Sequence, residues 1–150
     1  MKLYGYLIGF LLCSTGLDAQ NTASQTPYAI DINLQACMDS SENLSTFGQV
    51  NCIGRAIEAW DKELNKNYKL LMAILSADEK AKLKKAQQNW LLFRDSELSF
   101  EQTAFSNLDG TMWRAPKVLR EMEIVKQRAI DLEEYYNVFK ENKSKPAKSK

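Results

Sequence analysis

The residue pattern predicts an all-α fold, and three observations support that prediction. Apolar residues recur at steps of three and four over three long stretches, the spacing of one helix face. Two quartets of the capping-box type, Thr46-Phe47-Gly48-Gln49 and Ser76-Ala77-Asp78-Glu79, stand where such stretches begin. No segment carries a strand signal. The expected architecture is an antiparallel helical hairpin packed with a third long helix and a short N-terminal helix.

The first element is no part of that fold. Met1–Ala19 has Lys2 and then an apolar run through Leu12, too short to cross a bilayer, and reads as a signal peptide cut after Ala19. Leu17 is larger than usual for the third position before a cut. Leu12 is too large a neighbour for Cys13 to be the acylated residue of a lipoprotein. No later stretch is apolar for long enough to span a membrane, so the mature chain is expected to be exported, periplasmic or extracellular, without a transmembrane segment. Residues 20–30 read as a flexible N-terminal segment.

Cleavage leaves two cysteines, Cys37 and Cys52. An even pair in an oxidising compartment is most simply a disulfide, which stabilises by ~3 kcal/mol for a ring of this length. A redox-active or metal-binding pair is the rival reading. It lacks C-x-x-C spacing, a histidine and a third cysteine in the mature chain.

Residues 31–39 form a short helix with Leu34, Cys37 and Met38 on one side. With Thr46 as N-cap, Ile53, Ile57, Trp60, Leu64, Tyr68, Leu71 and Leu75 then mark a first long helix. Ser76 caps the next, which carries Leu83, Ala86, Trp90, Leu91, Leu98 and Phe105 and fades into the turn-rich residues 106–110. Pro116 suits the first turn of a third helix. There Val118, Met122, Val125, Ala129, Leu132, Tyr136 and Phe139 alternate steps of four and three. Such a stripe could serve an intermolecular coiled coil, but two other apolar helices need covering, which favours an internal core. The helical domain thus runs over 31–139. Residues 140–150, with five lysines and one glutamate, read as a basic disordered tail.

Composition narrows the function classes. The chain has 20 Lys and Arg against 19 Asp and Glu, a formal charge of +1, which disfavours nucleic acid as a partner. It has no histidine, which removes Ser-His-Asp and Cys-His catalysis and His-ligated zinc. Its six glycines never cluster into a phosphate-binding loop. Asp61, Asp95 and Glu97 could be considered as hydrolytic carboxylates, but each has a cation or a helix surface nearby. Most enzyme classes are thereby disfavoured, and no cofactor or metal is expected.

In an antiparallel hairpin, facing residues share one midpoint. Asp61 with Arg94, Asn65 with Trp90 and Tyr68 with Gln87 are all centred between residues 77 and 78, inside the turn that Ser76 marks independently. A structural seam is therefore predicted, with an Asp61–Arg94 ion pair, Asn65 at the Trp90 indole and a Tyr68–Gln87 contact.

The same residues carry a family resemblance. Asp61-x-x-Leu64-Asn65-x-x-Tyr68 and Leu83-x-x-Ala86-Gln87-x-x-Trp90-Leu91-x-Phe93-Arg94-Asp95 resemble the LprI-like lysozyme-inhibitor family of small exported bacterial proteins. Gly110-Thr111, Arg128, Leu132 and the Cys37 and Cys52 pair fit the same pattern, so the resemblance spans residues 34–135. It implies a protein that binds and inhibits lysozyme-type muramidases through a helical or loop surface. The alternative is an envelope interaction or scaffold protein that binds another surface protein or a toxin.

One departure stands out. Family members often carry two more cysteines, where this chain reads Ser96-Glu97-Leu98-Ser99 and Val118-Leu119-Arg120-Glu121. Leu98 and Leu119 are then expected to supply packing in place of a crosslink. The connection Asn107–Ala115, with Asp109, Trp113 and Arg114, is the candidate partner-binding surface. The competing expectation folds Trp113 back over the open end of the hairpin.

Overall fold

The structure, a computed structural model, describes residues 28–144, which form four helices and no strand. Residues 1–27, with the expected signal peptide and most of the N-terminal segment, lie outside the described residues, as do 145–150 of the tail.

Helix α1 (Ala29–Asp39) leads through a 3-10 turn at Ser41–Asn43 into α2 (Thr46–Ile74). The cap of α2 is Ser45, one residue before the expected Thr46. Ser45 keeps extended backbone and its hydroxyl accepts the Gly48 N–H at 3.1 Å, whereas Thr46 is already helical. Gly48 is sterically required: a Cβ there would lie 2.6 Å from the Asn43 Cα, so the reversal between α1 and α2 closes only over a glycine. The Cys37–Cys52 disulfide forms, with its Cα atoms 5.8 Å apart, and ties α1 to α2.

Only Leu75 and Ser76 separate α2 from α3 (Ala77–Ser106). The capping box predicted there is reciprocal. Ser76 Oγ accepts the Glu79 N–H, and Glu79 Oε2 accepts the Ser76 N–H at 2.7 Å. That backbone N–H, above all, holds the Glu79 carboxyl below the usual carboxylate range. Helix α4 (Arg114–Ser144) has Pro116 in its first turn and continues through residues 140–144, past the expected domain boundary.

The core lies between α2 and α4. Ile53, Trp60, Leu64 and Leu71 from α2 meet Met122, Val125, Ala129 and Leu132 from α4, which is the stripe the periodicity predicted. The two helices run parallel, since Asn67 of α2 donates to the Ala129 carbonyl at 3.1 Å and Lys143 reaches the Ile74 carbonyl further along. Helix α1 lies along α2. The Tyr28 ring, just before α1, meets the buried Trp60 edge-on at 5.1 Å, its hydroxyl donates to Glu133 of α4 at 3.0 Å, and Asp31 pairs with Lys126 at 2.9 Å. Burial first, and then the Glu133 carboxylate, push the Tyr28 hydroxyl up to about 12.

Helix α3 runs antiparallel to α4, with Glu101 against Arg120 at one end and Gln87 against Arg128 further along. Leu83 and Trp90 touch the core, but Glu101 is the helix's one buried residue. The expected hairpin is present in connectivity, yet the close packing is between α2 and α4 rather than between the hairpin arms. Pattern explains this outcome. The apolar residues of α4 fall on one stripe, whereas those of α3 are spread around the helix, with Leu92, Phe93 and Phe100 exposed to 66%, 53% and 67%.

Candidate functional site

Two surfaces gather the residues singled out in the sequence. The first is a groove between α2 and α3 of about 280 Å³. Asp61, Asn65 and Tyr68 line one side, and Gln87, Trp90 and Arg94 the other. The predicted pairings across it are corrected in detail. Arg94 donates through Nε and Nη2 to Asp95 of its own helix, at 2.9 and 2.7 Å, and does not pair with Asp61. Asn65 donates instead to Asp61, to its backbone oxygen at 2.8 Å and its carboxylate at 3.0 Å. Gln87 accepts from Arg128 Nε at 3.0 Å in place of meeting Tyr68. Local partners one to four residues away, and Arg128 reaching over from α4, capture these groups before the helices approach.

Trp90 is the centre of the groove's inner wall. The guanidinium carbons of Arg94 and Arg128 lie 5.3 and 6.0 Å from its ring centroid, within cation–π range. Arg128 thus orients two groove residues at once from behind. Its place in α4 gave no spatial signal in the sequence beyond the resemblance. Asp61 borders this groove while Asp95 borders a hollow on the outer face of α3, so the two carboxylates face different surfaces.

The second surface is the α3–α4 end. Gly110 adopts φ +86°, a left-handed conformation that suits glycine, and Arg114 N–H closes a turn on the Thr111 carbonyl at 3.1 Å. Trp113 is 38% exposed, Leu108 and Met112 are more open, and Asp109 and Arg114 are exposed. Phe105, Leu108, Trp113 and Arg114 help line a hollow of about 400 Å³. Trp113 therefore partly walls this end while leaving much of its surface to solvent. The packing expected from Leu119 is not found, since that side chain is 41% exposed. Polar braces join α3 to α4 here instead: Arg120 Nε meets Glu101 Oε1 at 3.3 Å, and Lys117 donates to Gln102. The second carboxylate oxygen of Glu101 is buried and makes no hydrogen bond among the described residues.

Among the described residues no cluster of three or more Cys, Asp or Glu could hold a metal ion, and no helix is long and apolar enough to cross a membrane. Fold and surfaces together define a small disulfide-tied helical module. Its residues 37–132 match the family profile described as "Lysozyme inhibitor LprI", and the chain belongs to that family. A solved structure described as a putative uncharacterized protein from Burkholderia thailandensis has the same fold. Its TM-score is 0.73 at 23% identity, over 77% of this chain and 57% of that one, so this chain spans little more than half of that protein's length. No curated protein matches the chain.

Proposed function

We propose that this chain is an exported inhibitor of lysozyme-type muramidases that binds the enzyme through the α3–α4 end of its bundle. Family membership over residues 37–132 is the observation that carries this reading. The surface supports it physically. Leu108, Met112 and Trp113 are exposed apolar residues of one short connection, Asp109 and Arg114 are exposed in the same stretch, and Gly110 and polar braces between α3 and α4 lie beside them. Trp and Arg are the types most enriched among interface hot spots, and a protruding loop fills an enzyme cleft better than a flat helix face. No catalytic role is assigned to any residue.

The test is lysozyme binding and inhibition with purified mature protein. Trp113→Ala is expected to weaken binding by ~2 kcal/mol with little change in melting temperature, because the ring is only partly covered. Loss of stability without loss of affinity in the folded fraction would remove the loop from the interface. Unimpaired lysozyme activity at stoichiometric excess would turn the reading to an envelope interaction or scaffold protein.

A further inference from the structure

The groove between α2 and α3 is a second candidate contact, separate from the loop end. We infer that it binds an acetamido sugar unit of the cell-wall glycan. Its polar groups have a fixed polarity. Asn65 spends its amide hydrogens on two Asp61 oxygens, which can only accept, so its own carbonyl oxygen is the end left for a ligand. Gln87 spends its carbonyl oxygen on the Arg128 guanidinium, which can only donate, so its amide N–H₂ is the end left. One helix thus contributes an acceptor and the other a donor, the complement of a secondary amide's N–H and C=O. Among the described residues the Tyr68 hydroxyl and the Trp90 indole N–H make no hydrogen bond, and both residues line the same groove. They supply further partners for hydroxyl groups.

Lys84, Gln88 and Arg94 add polar and charged groups to the lining, and the rest of the wall is apolar. Leu64, Leu91 and the two aromatic rings suit the C–H face of a pyranose and the methyl of an acetyl group. Length separates a glycan from a peptide. From Asp61 to Tyr68 the groove runs about 10 Å along α2, enough for two sugar rings but only about three residues of extended chain. Three extended residues would present several backbone amides, whereas Asn65 and Gln87, the lining amides with one end already committed, form a single oriented pair beside Gln88. The choice of the wall polymer rests on the muramidase reading, since that enzyme's substrate is built of such sugars. Binding it would place the inhibitor on the substrate as well as on the enzyme.

The test is calorimetric titration of the mature chain with tri-N-acetylglucosamine, N-acetylmuramic acid and, as the deacetylated control, triglucosamine. Saturable binding of the acetylated ligands is expected, with triglucosamine about tenfold weaker or worse. Asn65→Ala and Tyr68→Phe change exposed or half-buried side chains, so each should weaken sugar binding severalfold with the melting temperature held, while Trp113→Ala leaves it unchanged. No muramidase is present in this titration, so its outcome is independent of whether inhibition occurs. Absence of saturable binding, equal binding of triglucosamine, or indifference to both groove substitutions would overturn the inference. Loss of muramidase binding in the groove variants without any sugar binding would also overturn it, and would assign the groove to a protein loop.

Discussion

Helices α3 and α4 have nearly the same length, 30 and 31 residues, and opposite fates. Four large or small apolar residues of α4 are buried against α2, whereas α3 buries one carboxylate and leaves two phenylalanines more than half exposed. Apolar content alone does not decide which helix enters a core. The angular spread of that content does, because a helix can bury only one stripe at a time. Helix α4 is therefore the structural partner of α2, and α3 is the helix whose two sides border the groove and the outer hollow.

The sharpest break in this comparison is a paired truncation. Leu132→Ala in α4 should cost about 3 kcal/mol, since the side chain is fully buried and the site can collapse only in part. Phe100→Ala in α3 removes more atoms yet should stay within ~0.5 kcal/mol. Denaturant midpoints of the two variants test this. Equal losses would mean that α3 is as much a core helix as α4.

Just below that stands the disulfide. Cys52→Ser should cost ~2–4 kcal/mol, because it frees α1 from α2 and buries a hydroxyl where the sulfur was fully enclosed. Neither thiol should label in non-reduced, exported protein. Full labelling of both would show that the α1–α2 bond is not made in the protein. Next comes Asn67→Ala, which should cost about 2 kcal/mol by removing the buried side-chain hydrogen bond that Asn67 makes to the Ala129 carbonyl across the α2–α4 interface. Asn65→Ala, two residues away on the groove side, should be near neutral in the same melt.

What the sequence could express was local. Ser76 and Glu79 announce their cap because both partners lie within one turn, and the α4 stripe is legible because its period is regular. The groove's register was legible too, since facing positions follow from the turn alone. Its width was not. Whether Asp61 reaches Arg94 depends on Asp95, Asn65 and Arg128 competing for the same groups, and on α4 drawing α2 to itself. Asn67 and Gly48 were unreadable for a related reason. A lone amide or glycine inside a helical pattern has no period, and each takes its role from a chain segment it meets only after folding.

The smallest effect is a pH dependence confined to the α1–α4 side. Tyr28 donates to Glu133 and its hydroxyl is pushed up to about 12, mainly by burial and then by that carboxylate. The unfolded chain titrates the same group near 10. Between those values the folded state holds a proton that the unfolded state has released, so the contribution is complete below about pH 10 and is lost as pH rises toward 12. Two units would correspond to about 2.7 kcal/mol, but the ring is partly open to solvent, and about 1 kcal/mol is the expected loss after screening. Lysines titrate in the same window, so the measurement is a difference: stability from pH 9 to 12 for the parent minus that for Tyr28→Phe. The phenylalanine keeps the edge-on contact with Trp60 and removes the titrating group, so the difference should shrink as pH rises. A constant difference across the window would mean that the hydrogen bond to Glu133 does not bias the phenol, and that α1 is held to the bundle by the disulfide, the Trp60 contact, the Asp31–Lys126 pair and its apolar packing.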